Sequence, residues 1–165
     1  MKFSELVRGA SLRGAPSVFS TTMALRLGRA VATLLRRRGA SDGPVLIARG
    51  SDGPELIARD GLCQGLVLGG LDVVDLGHAE SDLFTFALRH ESACGGALVG
   101  TTGDSVGVML FAASRPLVGE GLVDLARIAD EGAFVTGIGT LQQRDLRAAF
   151  RTAPQRSERD TEVDA

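Results

Sequence analysis

Apolar positions recur along the chain in two periods, and the two alternate. In residues 21–38, TTMALRLGRAVATLLRRR, Met23, Leu27, Ala30, Val31 and Leu34 fall at helical spacing. Ser20 or Thr21 stands where an N-cap belongs, and Gly39 follows the last turn. The basic run Arg36, Arg37, Arg38 closes that helix, where cations complement the helix dipole. Residues 44–49, PVLIAR, predict a short buried strand, residues 54–69 return to helix, and 72–76, DVVDL, predict a second strand. Ser81 and Asp82 are placed to cap a helix carrying Leu83, Phe84, Ala87 and Leu88 on one face. Residues 97–99 and 106–111 predict two strands joined by loop 100–105 in a hairpin-like connection. A helix over 120–130 is stopped by Gly132, and an amphipathic segment follows at 141–150. From 151 to 165 the chain is polar and has little to bury, which predicts a disordered tail.

Short apolar strands interleaved with helices predict an α/β layer architecture, and the hairpin makes the sheet mixed. One domain over residues 1–150 accounts for every periodic segment, with 151–165 as its tail. A tandem repeat interrupts the pattern: residues 41–50 read SDGPVLIARG and 51–60 read SDGPELIARD, identical at eight of ten positions. The unit is too short for a solenoid repeat. The first LIAR falls in a predicted strand and the second in a predicted helix, a difference that tertiary context imposes on permissive residues.

Composition narrows the function classes. The 165 residues are 44% hydrophobic and 23% charged, as expected of a soluble globular domain. A net charge of −2 provides no basic footprint for nucleic acid. With seven Phe and neither Trp nor Tyr, stacking platforms for bases or sugars are scarce. No apolar run reaches the ~20 residues a membrane helix needs, and the N-terminus lacks a signal-like apolar stretch. These features predict a cytoplasmic protein with no membrane partner. Cys63 and Cys94 lie in apolar segments without metal-ligand spacing, as expected of buried reduced thiols. His78 lies in a loop and His90 at a helix end beside Glu91; neither has a nucleophile or metal partner at fixed spacing, so both are read as solvated. No GxSxG, HExxH, Walker or CxxC motif is present.

Three blocks carry a resemblance: GLCQGLVLGGLDVVDLG at 61–77, GGALVGTTGDSVGVMLF at 95–111 and RPLVGEGL at 115–122. In that order and spacing, together with the helix ALRLGRAVATLLRRRG, they resemble the first domain of the α-D-phosphohexomutases, the phosphoglucomutase/phosphomannomutase family. RDLRAAF at 144–150 is similar to the helix that leads into that family's second domain. The resemblance implies three layers, α/β/α, around a mixed, mostly parallel sheet. It also implies two chemical features: an Arg near the N-terminus, and a loop whose serine carries a phosphoryl group and helps hold Mg²⁺.

Both features are rewritten. VRGASLRG at 7–14 matches the first motif only at Arg13 and Gly14, and Ala10 and Ser11 replace its acidic part. Arg13 retains a guanidinium that can fork onto a phosphate. In the second motif, Gly100, Thr101, Thr102, Gly103, Asp104 and Ser105 replace threonine, alanine, serine, histidine, asparagine and proline. Thr102 therefore takes the serine position and the histidine is gone. Phosphoryl transfer depends on positioning and electrostatic stabilisation, so these changes predict no catalytic residue and no cofactor, with Mg²⁺ only if a vestigial site persists. A further landmark loop appears only in scrambled form at Arg49, Gly50, Ser51 and Asp52, and no role is carried from it.

The resulting expectation is a free-standing, degenerate phosphohexomutase-like domain, a pseudoenzyme acting as a binding or assembly module. The alternatives are a component of a split sugar-phosphate mutase and a sensor binding a phosphosugar or anion through Arg13, Thr101, Thr102, Asp104 and Ser105. Leu141, Leu146, Ala149 and Phe150 form the expected apolar face for a homodimer or protein partner.

Overall fold

A computed structural model describes residues 2–51 and 53–153. Helix α1 (Thr21–Arg37) starts where the Ser20 hydroxyl accepts the Met23 N–H at 3.3 Å. Its apolar stripe, Leu27, Ala30, Val31 and Leu34, is buried, each leucine contributing roughly 2 kcal/mol by leaving water. The stripe packs on α2 (Pro54–Leu68), and glycines set how close the two helices come. A Cβ at Gly61 would sit 2.5 Å from the Ala24 methyl, and one at Gly65 would overlap the Leu25 carbonyl oxygen. The glycine-rich block therefore encodes a close helix crossing.

The strands are β1 (Val7–Arg8), β2 (Ser11–Gly14), β3 (Val45–Arg49), β4 (Val73–His78), β5 (Gly95–Thr102), β6 (Ser105–Ala112), β7 (Arg115–Pro116) and β8 (Leu141–Gln143). Their order is β1-β2-β6-β5-β3-β4-β8, with β7 beside β6. β5, β3, β4 and β8 run parallel, and β6, β2 and β1 add an antiparallel flank. Helices α1, α2 and α4 (Glu120–Glu131) cover one face over the larger core. Helix α3 (Ser81–His90) and the short α5 (Arg147–Thr152) lie on the other, over a smaller core that includes Leu46, Val74, Phe84, Phe111 and Leu146. The expected α/β/α layers and mixed sheet are both present.

The duplicated LIAR peptide takes the two forms expected, a strand in β3 and a helical turn in α2. The two copies converge. Arg49 and Arg59 reach the Asp75 carboxylate at 4.0 and 2.8 Å, and the Gly77 N–H donates to it at 2.9 Å. Asp75 is 3% exposed, so these partners hold a charge that would be costly alone.

Several boundaries differ from the sequence reading. β1 and β2 were not foreseen, because such short polar segments carry little period. The α3 N-cap is Glu80, with Ser81 and Asp82 inside the first turn and no side-chain cap bond. β5 and β6 run on to Thr102 and Ser105, so the connection shrinks to Gly103 and Asp104. The 141–150 segment is divided. β8 is drawn out by pairing with β4, where the Val73 N–H donates to the Thr140 carbonyl at 2.7 Å. α5 begins where the Asp145 carboxylate accepts the Arg147 N–H at 3.0 Å, and it runs on to Thr152. Of the expected tail, residues 154–165 lie outside the described residues.

Candidate functional site

The β5–β6 hairpin decides what its loop can do. Thr102 and Ser105 form the last pair, and Gly103, at φ +59°, takes the left-handed position of a two-residue II′-type turn. Side chains alternate between faces along each strand, so neighbouring residues part company. Thr101 faces α2 along with Val99 and Val106, which are buried there. Its hydroxyl donates to Glu55, whose other carboxylate oxygen accepts from the Ser51 hydroxyl at 2.6 Å. Glu55 is only 1% exposed, so Thr101 is tied into the packed side of the molecule.

Thr102 and Ser105 face the other way. Two residues back on the same face, roughly 6.8 Å along the strands, Gly100 pairs with Gly107, and Gly107 pairs in turn with Arg13 on β2. The Arg13 guanidinium lies across Gly107, its Nη2 3.3 Å from where a Cβ would be. A Cβ at Gly100 would meet nothing within 4 Å. The sheet is therefore open over Gly100, with the Arg13 cation covering Gly107 next to it and the Thr102 and Ser105 hydroxyls farther along the same face. Neither the Arg13 guanidinium nor the Thr102 hydroxyl has a hydrogen-bond or ion-pair partner among the described residues. Of the five residues expected at the site, Arg13, Thr102 and Ser105 share a face, Asp104 is exposed in the turn, and Thr101 points to the opposite side.

No protein-family model matches the chain. A phosphoglucomutase/phosphomannomutase from Thermococcus kodakarensis is 36% identical over 76 residues, 46% of this chain and 17% of the relative. The chain is homologous to the phosphoglucomutase/phosphomannomutases. A solved phosphoglucomutase/phosphomannomutase family protein from Burkholderia thailandensis superposes with a TM-score of 0.81 at 21% identity, over 91% of this chain and 35% of that one. A putative phosphomannomutase from Thermus thermophilus superposes at 0.74 with 26% identity, over 90% and 35%. The chain thus spans about a third of these solved neighbours and less of the curated relative, as one phosphohexomutase-like domain.

This phosphohexomutase-like domain has a second concavity that no sequence motif marks. A cleft of about 440 Å³ opens beyond the carboxyl ends of β3 and β4, lined by Gly50, His78, Glu80, Asp82, Leu83 and Phe150 among others. The helices that follow these two strands leave to opposite faces, a position where open α/β sheets commonly hold ligands. Of the four residues expected to form an assembly face, Phe150 lines this cleft. Leu146 is buried in the smaller core, Ala149 is half-buried, and Phe150 packs edge-on against Phe86 at 5.3 Å. Leu141 and Phe150 stay exposed, at 50% and 37%. His90 stacks on Phe86 at 5.1 Å, and His78 is exposed at the end of β4.

Among the described residues, no three His, Cys, Asp or Glu side chains gather as a metal site. For Mg²⁺, the hairpin tip offers the Thr102 hydroxyl and a single carboxylate, Asp104, which do not amount to a cage. Both thiols are buried and free. Burial, reinforced by the charge of Asp75, pushes the Cys63 thiol up to about 12, and burial pushes Cys94 to about 11, so neither is a ready nucleophile. Among the described residues no helix is long and apolar enough to cross a membrane. The residue that sequence reasoning missed is Glu55. It lies 46 positions from Thr101 and has no local signal.

Proposed function

We propose that this phosphohexomutase-like domain is a non-catalytic binding module that holds a phosphate-bearing ligand, a sugar phosphate by class, on the Arg13 face. The observation that carries this reading is the Arg13 guanidinium, without a partner among the described residues, lying over Gly107 beside the open Gly100 and on the same face as the Thr102 and Ser105 hydroxyls. A guanidinium offers two parallel donors to a phosphate, and side-chain hydroxyls add further ones. Glycines let the ligand approach the strands without meeting side chains. Phosphoryl transfer through a hydroxyl also needs its proton removed, and among the described residues no carboxylate or imidazole accepts a hydrogen bond from the Thr102 hydroxyl.

Thermal shift with hexose 1-phosphate, hexose 6-phosphate and sulfate tests the reading, with interconversion of the two sugar phosphates assayed alongside. The expected result is stabilisation by phosphate-bearing ligands, lost in Arg13→Ala, with no turnover. Binding unchanged in Arg13→Ala moves the ligand elsewhere. Turnover that disappears in Thr102→Ala favours the second reading, a domain contributing to a sugar-phosphate mutase. That reading is supported by the homology and by the place of Thr102 in the hairpin.

A further inference from the structure

β8 is the last strand of the sheet on the side away from Arg13, and its outer edge is unpaired among the described residues. Its main chain alternates in direction. The Thr140 carbonyl accepts from Val73 and the Arg144 N–H donates to Asp75, so Thr140, Gln142 and Arg144 turn their bonding groups toward β4. Leu141 and Gln143 then present both N–H and C=O outward. The strand reads Leu-Gln-Gln, without the charge, proline or bulge by which edge strands commonly block pairing. On the α2 side the edge is bordered by exposed apolar side chains: Ile138 at 90%, Leu141 at 50% and Leu68 at 43%. Ile138 is held beside the end of α2, because the flanking Gly137 and Gly139 N–H groups donate to the Leu68 and Val67 carbonyls.

We infer that β8 pairs antiparallel with β8 of a second copy of this chain, about a two-fold axis through Gln142. That register uses all four outward groups of each strand, because Leu141 of one copy lies opposite Gln143 of the other. It also matches charge. Thr140, whose N–H and hydroxyl both donate to the Asp72 carboxylate at 3.0 and 2.9 Å, falls opposite the partner's Arg144. Asp72 and Arg144 are both exposed, Arg144 keeping one guanidinium nitrogen on Glu91 of its own chain, and the two-fold repeats the match at the other end. The apolar borders of the two copies meet along the same seam. The pairing is independent of the ligand reading, since Arg13 and β8 lie near opposite edges of the sheet.

Sedimentation of the full chain across micromolar to millimolar concentration tests the pairing. The expected result is a reversible monomer–dimer equilibrium that Leu141→Pro abolishes without changing the circular dichroism, because the Leu141 N–H serves no bond within its own sheet. Asp72→Arg and Arg144→Asp should each weaken the dimer about tenfold, as expected for two rim ion pairs, and the double variant should restore it. A monomer at every concentration overturns the inference, as does a dimer that persists in a folded Leu141→Pro chain. If Leu141→Pro does not fold, the charge exchange decides: loss in both single variants with recovery in the double supports the pairing, and any other pattern refutes it.

Discussion

The α1–α2 crossing and the bare end of the β5–β6 hairpin use glycine in opposite ways. On the face covered by α1 and α2, Gly28, Gly61 and Gly65 leave no room, and each stands where an added methyl would collide with the facing helix. On the other face, beyond the reach of α3, Gly100 opens onto empty space and Gly107 is covered only by Arg13. One set of glycines lets protein pack against protein. The other keeps a piece of sheet bare, with polar groups at its margin. Thr101 and Thr102, adjacent in sequence, belong one to each face. The first is bound into the packed side by Glu55, and the second is left beside the open floor. A packed side chain and an open one here differ by a single residue of strand register.

The largest expected effect comes from filling the closed face. Gly65→Ala forces a methyl into the Leu25 carbonyl, with backbone on both sides, and should cost about 3 kcal/mol or more in denaturant unfolding. Glu55→Ala should cost roughly 1 kcal/mol, because the Ser51 and Thr101 hydroxyls lose their acceptor but belong to exposed residues that water can reach. Cys63, buried on the same face, gives the closed side a pH signature. Its folded pKa, about 12, exceeds the ordinary 9.0, so its contribution to stability is complete below pH 9 and is lost as pH rises from 9 to 12. Cys63→Ala should flatten that part of the curve of melting temperature against pH. The smallest effect on stability is expected on the open face. Gly100→Leu should shift unfolding by roughly 0.5 kcal/mol at most, yet remove the phosphate-dependent thermal shift by occupying the floor. Equal destabilisation by Gly65→Ala and Gly100→Leu would erase the distinction between the faces.

Much of the fold was legible because its longer elements keep their periods. α1 repeats its apolar stripe over several turns and is capped by Ser20, and α4 stops at Gly132, which adopts φ +75°. Even the divergent fates of the two LIAR copies followed from their surroundings. Less of the site was legible. Thr102 could be matched to a position by motif alone, but the face it occupies depends on exact pairing with Ser105, and a slip of one residue would exchange it with Thr101. Arg13 was named for its motif, whereas its place over Gly107 requires a four-residue strand too short to show a period. Residues 141–150 read as one amphipathic stretch because Leu141, Leu146 and Phe150 suit a helix. The edge of β4, distant in sequence, draws the first of them into the sheet instead.

On the reading proposed above, the Arg13 face binds phosphate without Thr102 taking it. Intact mass measurement after incubation with hexose 1-phosphate or 6-phosphate, under conditions where thermal shift reports saturation, tests it most directly. The expected result is a saturable shift that depends on Arg13, with an unmodified mass. A gain of one phosphoryl group that is absent in Thr102→Ala would contradict it.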